Sequence, residues 1–410
     1  MLGPYDPKET ERWPTLLPDG RHVLYTINDN SGNYEHARIA VLSLRDRTSR
    51  ILFEGGTFPR YCCGHLVCSH SGGLFAVPFD ADALKITGAP IPVADEVGGW
   101  DRIGIAFADV ASDGTLVYAS RNLSAEQREL VWIDRKGAAT PISAGRRDYQ
   151  QAKLSPDGAQ LAVVVEEHGR RDLWLYEFRR ELWRRLTTGD VVITVVWSPD
   201  SSQIFFSSGR SGSQDIYSMP IDGSAPAREI TRDKANWQMP LSVSPDNRYV
   251  LVMRQQGQAL HILLLDLQHP DRMEILVPSA NDAAFSPDGK SFAFVANEAG
   301  QDEVYLSRFP DAGRRGLISS GGGNTPLWRR DGRELYYVNG KKLMAVDMSQ
   351  PSIGKARVLF ENELEVTDIA SDGQRFVGIR SEKVPPTTQI NVITGLFDNL
   401  QSLQRRPSGN

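Results

Sequence analysis

The chain has 410 residues, of which 40% are hydrophobic and 24% are charged, with 36 glycines, 24 prolines and a net charge of −5. This composition can form a core and excludes a disordered chain, and the negative balance argues against general affinity for nucleic acid. Apolar runs such as 263–265 are far shorter than the ~20 residues of a membrane helix, and residues 1–10 contain no secretory leader. The protein is therefore expected to be cytoplasmic or a piece of a longer chain. Its three cysteines, all between positions 62 and 68, cannot build a disulfide framework.

One repeated pattern occupies nearly the whole chain. An apolar stretch, a turn resembling Ser-Pro-Asp-Gly and a β-prone run recur as LSPDGAQLAVVV, WSPDSSQIFFSS, VSPDNRYVLVMR and FSPDGKSFAFVA, with weaker copies such as VASDGTLVYAS. The aspartates of these turns are Asp19, Asp113, Asp157, Asp200, Asp246, Asp288, Asp331 and Asp372. The gaps from Asp113 onward are 41 to 46 residues, and the double-length gap before it predicts a copy without aspartate between Arg60 and Phe79. The spacing thus indicates nine units of about 43 residues.

The repeat predicts the elements in chain order. After an extension of residues 1–11, units are expected near 12–56, 57–99, 100–145, 146–189, 190–234, 235–279, 280–322, 323–363 and 364–400, followed by a tail of residues 401–410. Each unit contains about four β-prone runs, such as DAAFS, KSFAFVA, EVYLSRF and RGLISS in residues 282–320. Four-stranded repeats of this length are typical of propeller blades.

We therefore predict an all-β fold consisting of a single β-propeller with four-stranded antiparallel blades. The repeat count gives nine blades, or eight if a terminal unit only closes the ring. No Pro/Gly/Ser-rich linker interrupts the period, which favours one domain. The turn aspartates are interpreted as structural, because aspartate accepts hydrogen bonds from nearby backbone amides in such turns.

The turns and the third strands DLWLYEF, QDIYSMPIDG and DEVYLSRFP resemble the TolB-like (WD-like) β-propeller repeat family over nearly all of residues 12–396. The segments RWPTLLPDGRHVLYT, GTFPRY and QINVITGLFDNL are more similar to the propeller region of bacterial receptor-like serine/threonine kinases. The chain itself contains no HRD loop, no DFG and no Gly-rich phosphate loop. The resemblance implies a periplasmic sensor module that is fused to or associated with a membrane kinase.

One segment is rich in soft metal ligands. Cys62, Cys63, His65, Cys68 and His70 lie within nine residues and could in principle hold zinc. Their spacing matches no established zinc motif, and buried cysteines often act as small hydrophobic residues. The structural interpretation is favoured, and we predict no metal and no cofactor.

Catalytic patterns are weak in this sequence. No G-x-S-x-G elbow follows a strand, and no region is left for a hydrolase domain. Ser211 and the acidic pairs Glu166–Glu167 and Asp80 with Asp82 lie in predicted loops, where solvated side chains are ordinary. We therefore assign no catalytic residue.

The loops that lead into the first strands form the predicted binding site. In propellers the first strand lines the central channel, so these loops are expected at the channel mouth. They combine amide, charged and aromatic groups, as polar binding sites do. The predicted ligand-binding residues are Arg60, Trp100, Asp101, Arg102, Tyr149, Gln150, Asn236, Trp237, Gln238, Asn281, Asp282 and Asn324. A hydrated entrance without a ligand is the alternative.

The leading functional hypothesis is a non-catalytic propeller module that senses a ligand or binds a protein. Its partner would be a protein, a small molecule or a glycan, with no nucleic acid and no membrane insertion. Two alternatives stay open: an enzyme, such as a lyase or hydrolase, acting at the channel mouth, and a scaffold that docks partners by its rim. Fold alone does not decide among them.

Overall fold

The structure, a computed structural model, describes residues 9–28, 34, 36–100, 103–120, 128–167, 170–211, 213–233, 236–298, 300–350, 353–381 and 390–397. It divides into two compact units. The first comprises Met1–Ala125 and Lys383–Asn410, and the second comprises Glu126–Glu382. The second unit is therefore inserted into the sequence of the first.

The secondary structure consists almost entirely of β-strands. The first unit begins with β1 (Thr10–Leu16), β2 (His22–Asn28), β3 (Arg38–Ser43), β4 (Ser49–Glu54), β5 (Thr57–Cys62), β6 (His65–His70), β7 (Gly73–Asp80), β8 (Lys85–Ile86), β9 (Ile91–Ala94), β10 (Gly99–Trp100), β11 (Ile105–Ala106), β12 (Ala108–Val110) and β13 (Leu116–Ala119). The second unit contains β14 (Arg128–Asp134), β15 (Ala139–Leu154), β16 (Gln160–Glu167), β17 (Arg170–Glu177), β18 (Leu182–Arg185), β19 (Val192–Trp197), β20 (Gln203–Ser208), β21 (Asp215–Pro220), β22 (Arg228–Glu229), β23 (Gln238–Val243), β24 (Tyr249–Gln256), β25 (Ala259–Asp266), β26 (Met273–Val277), β27 (Ala280–Phe285), β28 (Ser291–Asn297), β29 (Asp302–Arg308), β30 (Arg315–Leu317), β31 (Asn324–Trp328), β32 (Glu334–Asn339), β33 (Lys342–Asp347), β34 (Arg357–Glu361), β35 (Glu365–Ile369) and β36 (Arg375–Ser381). The chain then returns to the first unit with β37 (Ile390–Ile393). Among the described residues, no helix has the length and hydropathy needed to cross a bilayer.

The sheets are antiparallel, as predicted. In the first unit the strand orders are β1-β2-β3-β4, then β5-β6-β7 with β8 and β9 both on β7, β10-β11, and β12-β13-β37. In the second unit, four sheets are simple four-stranded meanders: β19–β22, β23–β26, β27–β30 and β31–β34. The second strands of these sheets are buried on both faces, whereas the outer strands are short and mostly exposed.

The ends of the second unit are joined by strand pairing. β14, the first strand of the unit, pairs along its whole length with β36, the last. The long strand β15 continues this sheet through residues 139–147 and then begins the next one, pairing with β16 from residue 148. The innermost strands β15, β19, β23, β27, β31 and β35 contact one another in this order, and β35 contacts β15. The second unit is thus a ring of six blades.

This arrangement differs from the predicted single ring. The chain forms two units, and nine blades around one axis are not confirmed. The physical reason is that the spacing of the repeats determines the length of each blade. It does not determine which blades lie next to each other. Which two edges pair, here β14 with β36, depends on side chains that are more than 200 residues apart.

The turn aspartates are structural, as predicted. All eight accept a hydrogen bond from the backbone N–H two residues later, as Asp157 does from Ala159 at 2.9 Å. Gly158 at the turn end has a φ of 74°, in the left-handed region that glycine tolerates. Hydrogen bonds from Ser198 and the Ser202 amide lower the pKa of Asp200, so this carboxylate is held in its ionised, accepting form.

A buried hydroxyl ties the third strand of a blade to the loop after its fourth strand. Thr187 accepts a hydrogen bond from the Leu173 amide at 2.9 Å and donates one to Asp172 at 2.8 Å. In the blade β27–β30, Ser319 makes the equivalent pair of hydrogen bonds: it accepts from the Val304 amide and donates to Glu303. Both carboxylates are buried.

We expect Thr187→Val to destabilise the second unit by about 1–3 kcal/mol, because it leaves the Leu173 amide buried without its acceptor and removes one of the hydrogen bonds to Asp172. Thr187→Ser keeps the hydroxyl and is expected to retain most of the stability. Urea unfolding of the two variants measures the difference. Equal stability of the valine and serine variants would contradict the role of the hydroxyl.

Candidate functional site

The innermost strands of the second unit line a central cavity of about 450 Å³. All six contribute to it, through their C-terminal halves and the turns that follow. Each blade therefore places only a few side chains in the cavity. The character of the site depends on which of these positions are charged.

Four charged side chains line this cavity: Lys153 on β15, Asp282 on β27 and Asp368 on β35, with Arg330 at the rim after β31. The Lys153 amine donates a hydrogen bond to the Thr367 carbonyl at 2.7 Å. Burial raises the pKa of both aspartates, and the positive charge of Lys153 opposes that rise. Away from the rim, the two aspartates and Lys153 carry one negative charge in excess when ionised, and Arg330 at the rim adds a positive charge that balances it.

The two aspartates also complete the backbone hydrogen bonding of neighbouring blades. Asp368 accepts a hydrogen bond from the Leu154 amide at 2.8 Å, and Asp282 accepts one from the amide of Thr325. The side-chain oxygen of Gln151 likewise accepts a hydrogen bond from the Val195 amide, at 2.7 Å. An innermost strand has no further strand on its channel side, so its amides need such acceptors. These bonds hold the carboxylates in place at the cavity wall.

Two tryptophans and a ring of prolines complete the cavity wall. Trp197 donates its indole N–H to the Lys153 carbonyl at 2.8 Å, and Trp328 donates to the Ala284 carbonyl at 3.2 Å. These bonds fix both rings beside the cavity. At the rim, the Arg330 guanidinium donates to the carbonyl of Pro156, which belongs to a blade that is not adjacent to its own.

Of the predicted site residues of the first unit, the structure describes Arg60 and Trp100, which make contacts within their own unit. Arg60 donates hydrogen bonds to Asp109 at 3.1 Å and to Thr15 at 3.0 Å. Trp100 is 62% exposed and makes an edge contact with Phe107. The predicted residues Asp101 and Arg102 lie outside the described residues.

Of the predicted residues in the second unit, Asp282 lines the cavity and the others lie toward the opposite ends of the first strands. Tyr149 is fully buried and donates to the Gly145 carbonyl at 2.9 Å. Three other side-chain amides donate hydrogen bonds to aspartates: Gln150 to Asp148, Asn236 to Asp233 and Asn281 to Asp302. The Asn324 side chain accepts a hydrogen bond from the Thr325 hydroxyl.

The neighbouring pair Trp237 and Gln238 combines an exposed ring with a buried amide. Trp237 is 40% exposed. Gln238 is fully buried, and both polar atoms of its side chain have no hydrogen-bond partner among the described residues.

The cysteine segment forms strands of the first unit. Cys62 and Cys68 are buried, and burial raises the pKa of each thiol to about 12. Cys63 is exposed. In the described part of the chain, no three His, Cys, Asp or Glu side chains are grouped to hold a metal ion.

Sequence reasoning missed Lys153 and Asp368. Both stand at the same place in the repeat, four residues before the turn aspartates Asp157 and Asp372. The other repeats of the second unit carry Val196, Ser242, Ala284 and Leu327 at this position. Aligning the repeats and reading off the charged members would have identified both residues.

Comparisons with known proteins support the TolB-like propeller family. Residues 137–284 match the model of the TolB beta propeller domain, PD40. A 118-residue segment is 32% identical to the Tol-Pal system protein TolB of Anaeromyxobacter dehalogenans strain 2CP-C, covering 28% of this chain and 26% of that protein. The corresponding protein of Anaeromyxobacter sp. strain K is 31% identical over 118 residues, 28% of this chain and 26% of the relative. The match thus spans about a quarter of the length of these curated relatives.

Among solved structures, one described as TolB from Agrobacterium tumefaciens superposes with a TM-score of 0.52 and 18% identity. It covers 63% of this chain and 99% of its own. At this level of identity the likeness concerns the fold.

Proposed function

We propose that this chain is a non-catalytic recognition module of the TolB-like propeller type. In this proposal the second unit binds a partner protein by taking a lysine or arginine side chain into the central cavity. The observation that carries the proposal is the pair of carboxylates on the innermost strands, Asp282 and Asp368, which share the inner part of the cavity with Lys153 while Arg330 lies at the rim.

The wall of the cavity suits a cationic group. Carboxylates form charge-assisted hydrogen bonds to ammonium and guanidinium groups, and tryptophan faces attract cations. Trp197 and Trp328 lie in the same wall as the two aspartates. Each aspartate uses part of its accepting capacity for backbone amides, and an ionised carboxylate has up to about four acceptor sites. Acceptor capacity is therefore left for a ligand.

The same hydrogen bonds favour recognition over acid–base catalysis. An aspartate that completes the backbone bonding of a neighbouring strand holds its position best while it stays ionised. Burial raises the pKa of both aspartates, and Lys153 and the backbone amides partly offset that rise. A general acid would instead need to carry and release a proton in each cycle.

The sequence resemblance to receptor-kinase propellers adds a cellular role to the proposal. A periplasmic module fused to or associated with a membrane kinase would report the binding of its partner. The loops at the opposite ends of the first strands, with Asn236 and Trp237, are proposed as additional ligand contacts.

The test uses a displayed library of short random peptides, selected on the intact protein. Enriched peptides are expected to contain lysine or arginine. Asp368→Asn and Asp282→Asn are each expected to weaken the selected peptides about tenfold or more, since one lost charged contact is worth at least about 1.4 kcal/mol. Lys153→Met is the matched control with the opposite sign, because removing the positive charge should strengthen the same peptides.

Damage to the fold would weaken binding in all three variants, so opposite effects of the aspartate and lysine substitutions are specific to charge. Enrichment of acidic peptides, or equal effects of Asp368→Asn and Lys153→Met, would overturn the proposal.

A further inference from the structure

Two cysteines stand side by side at the tip of a hairpin in the first unit. Cys62 ends β5, and Cys63 and Gly64 form the turn to β6, with φ values of 52° and 73°. Cys63 is exposed and Cys62 is buried. The turn therefore places one accessible thiol next to one that is covered by protein.

Both thiols are directed at the same neighbouring turn, residues 111–114 between β12 and β13. The Cys62 thiol donates to the Ala111 carbonyl at 3.1 Å, and each thiol donates to the Ser112 carbonyl at 3.7 Å. A hydrogen bond between Cys62 and Cys63 brings their sulfurs together. The two sulfurs thus converge on one acceptor and on each other.

We propose that Cys62 and Cys63 are a site of reversible oxidation, at which a disulfide of another molecule converts the two thiols to a vicinal disulfide and thereby releases the neighbouring turn. In the first step the Cys63 thiolate attacks the incoming disulfide, binds one half of it and expels the other half. In the second step the Cys62 thiolate attacks the Cys63 sulfur, and the second half leaves. The protons of the two cysteines end on the two released thiols, so two electrons pass from the protein to the oxidant.

The surroundings of Cys62 favour this order of steps. Burial raises the pKa of Cys62, the hydrogen bond and charge of Cys63 raise it further, and a hydrogen bond from the Gly114 amide lowers it. Once Cys63 is part of a mixed disulfide it has neither a thiol proton nor a charge, so its contributions disappear. The Gly114 amide then remains to favour the Cys62 thiolate that the second step needs.

A bond between neighbouring residues is also suited to reversal. Consecutive Cα atoms lie about 3.8 Å apart, whereas ordinary disulfides join Cα atoms that are about 4.4–6.8 Å apart. The vicinal bond is therefore strained and easily reduced, as labile disulfides are. Its formation withdraws the S–H donors from the Ala111 and Ser112 carbonyls. The site lies in the first unit and is independent of the cavity function proposed above.

The test treats the full chain with oxidised glutathione, alkylates the remaining thiols in denaturant and maps the peptides by mass spectrometry. The peptide with all three cysteines is expected to lose two hydrogen atoms and to be alkylated only at Cys68. Fragment ions that separate Cys63 from Cys68 locate the bond without any substitution, and dithiothreitol should restore the reduced peptide. A persistent glutathione adduct on Cys63, a bond that includes Cys68, or a peptide that stays fully reduced would each overturn the proposal.

Two matched variants separate the two steps. Cys62→Ser is expected to stop at the mixed disulfide, with one glutathione on Cys63. Cys63→Ser is expected to stay unmodified, because the Cys62 thiol is buried. Equal glutathione adducts on the two variants would contradict the assignment of Cys63 as the first nucleophile.

Hydrogen exchange measures the structural effect of oxidation. The Gly114 amide donates to the Ala111 carbonyl at 3.0 Å, and in the matched turn between β1 and β2 the Gly20 amide donates to the Leu17 carbonyl at the same distance. After oxidation the Gly114 amide is expected to exchange about fivefold faster or more, because its turn loses both S–H donors, whereas Gly20 should be unchanged. A Gly114 amide that exchanges equally fast before and after oxidation would overturn the release of this turn.

Discussion

Replacing Glu334 with alanine is expected to destabilise the second unit by about 1–3 kcal/mol, because it removes the carboxylate that accepts charge-assisted hydrogen bonds from the half-buried Arg135. Glu334 accepts two hydrogen bonds from Arg135, at 2.8 and 2.9 Å, and one from the Tyr336 hydroxyl at 2.6 Å. Arg329 and Arg357 each approach it at 3.1 Å. Arg135 belongs to the turn between β14 and β15, so the pair joins two neighbouring blades.

The dependence of stability on pH identifies this carboxylate. Burial alone would raise the pKa of Glu334, but the hydrogen bonds from Arg135 and Tyr336 outweigh it and lower the pKa to about 2. Because the pKa of Glu334 is lower in the folded than in the unfolded state, its ionised form stabilises the fold at pH values above the unfolded-state pKa. This stabilisation is lost as the pH falls toward the folded-state pKa. The difference in unfolding free energy between the unmodified protein and Glu334→Gln should therefore shrink between about pH 4.5 and pH 2.

Urea unfolding at several pH values measures this difference. Glu274→Gln, an exposed position on β26, is the control and is expected to change stability by less than about 0.5 kcal/mol at every pH. A Glu334→Gln effect that is constant across the acid range would contradict the role assigned to the ionised carboxylate.

The local structure could be predicted from the sequence because it depends on neighbouring residues. A turn such as that around Asp157 bonds within a few residues, and the four runs of residues 282–320 correspond to β27–β30. Ring closure could not be predicted in this way. Strands β14 and β36 have ordinary β-prone sequences, and nothing near either one specifies the other.

The candidate site was predicted in part, for a similar reason. The innermost strands were expected to line the channel, and Asp282 does line the cavity. The cavity lies toward the turns that follow these strands, however, whereas the prediction concentrated on the loops that precede them. Lys153 and Asp368 belong to different blades more than 200 residues apart, and only the closed ring brings them to one cavity.

Closure of the ring is also expected to depend on the hydrophobic core that packs against β14 and β36. Phe376 on β36 is fully buried, lies opposite Ile133 of β14, and packs edge-on against Tyr336 and Phe360 with centroid distances of 5.1 and 5.8 Å. Phe376→Ala is expected to cost about 3–5 kcal/mol, because it removes a large side chain from a packed core. Since β14 and β36 join the two ends of the unit, we expect the loss to open this pairing before the rest of the ring.

Hydrogen exchange distinguishes opening of the ring from uniform destabilisation. In Phe376→Ala, amides of β14 and β36 should exchange faster than those of β24 and β28, which lie in other blades. Val358→Ala, 49% exposed on β34, is the matched control and should change stability by less than about 0.5 kcal/mol. If exchange in Phe376→Ala accelerates equally in all four strands, the ring unfolds as one cooperative unit and β14–β36 is not its weakest contact. If the amides of β14 are protected as in the unmodified protein, the pairing does not depend on the Phe376 core.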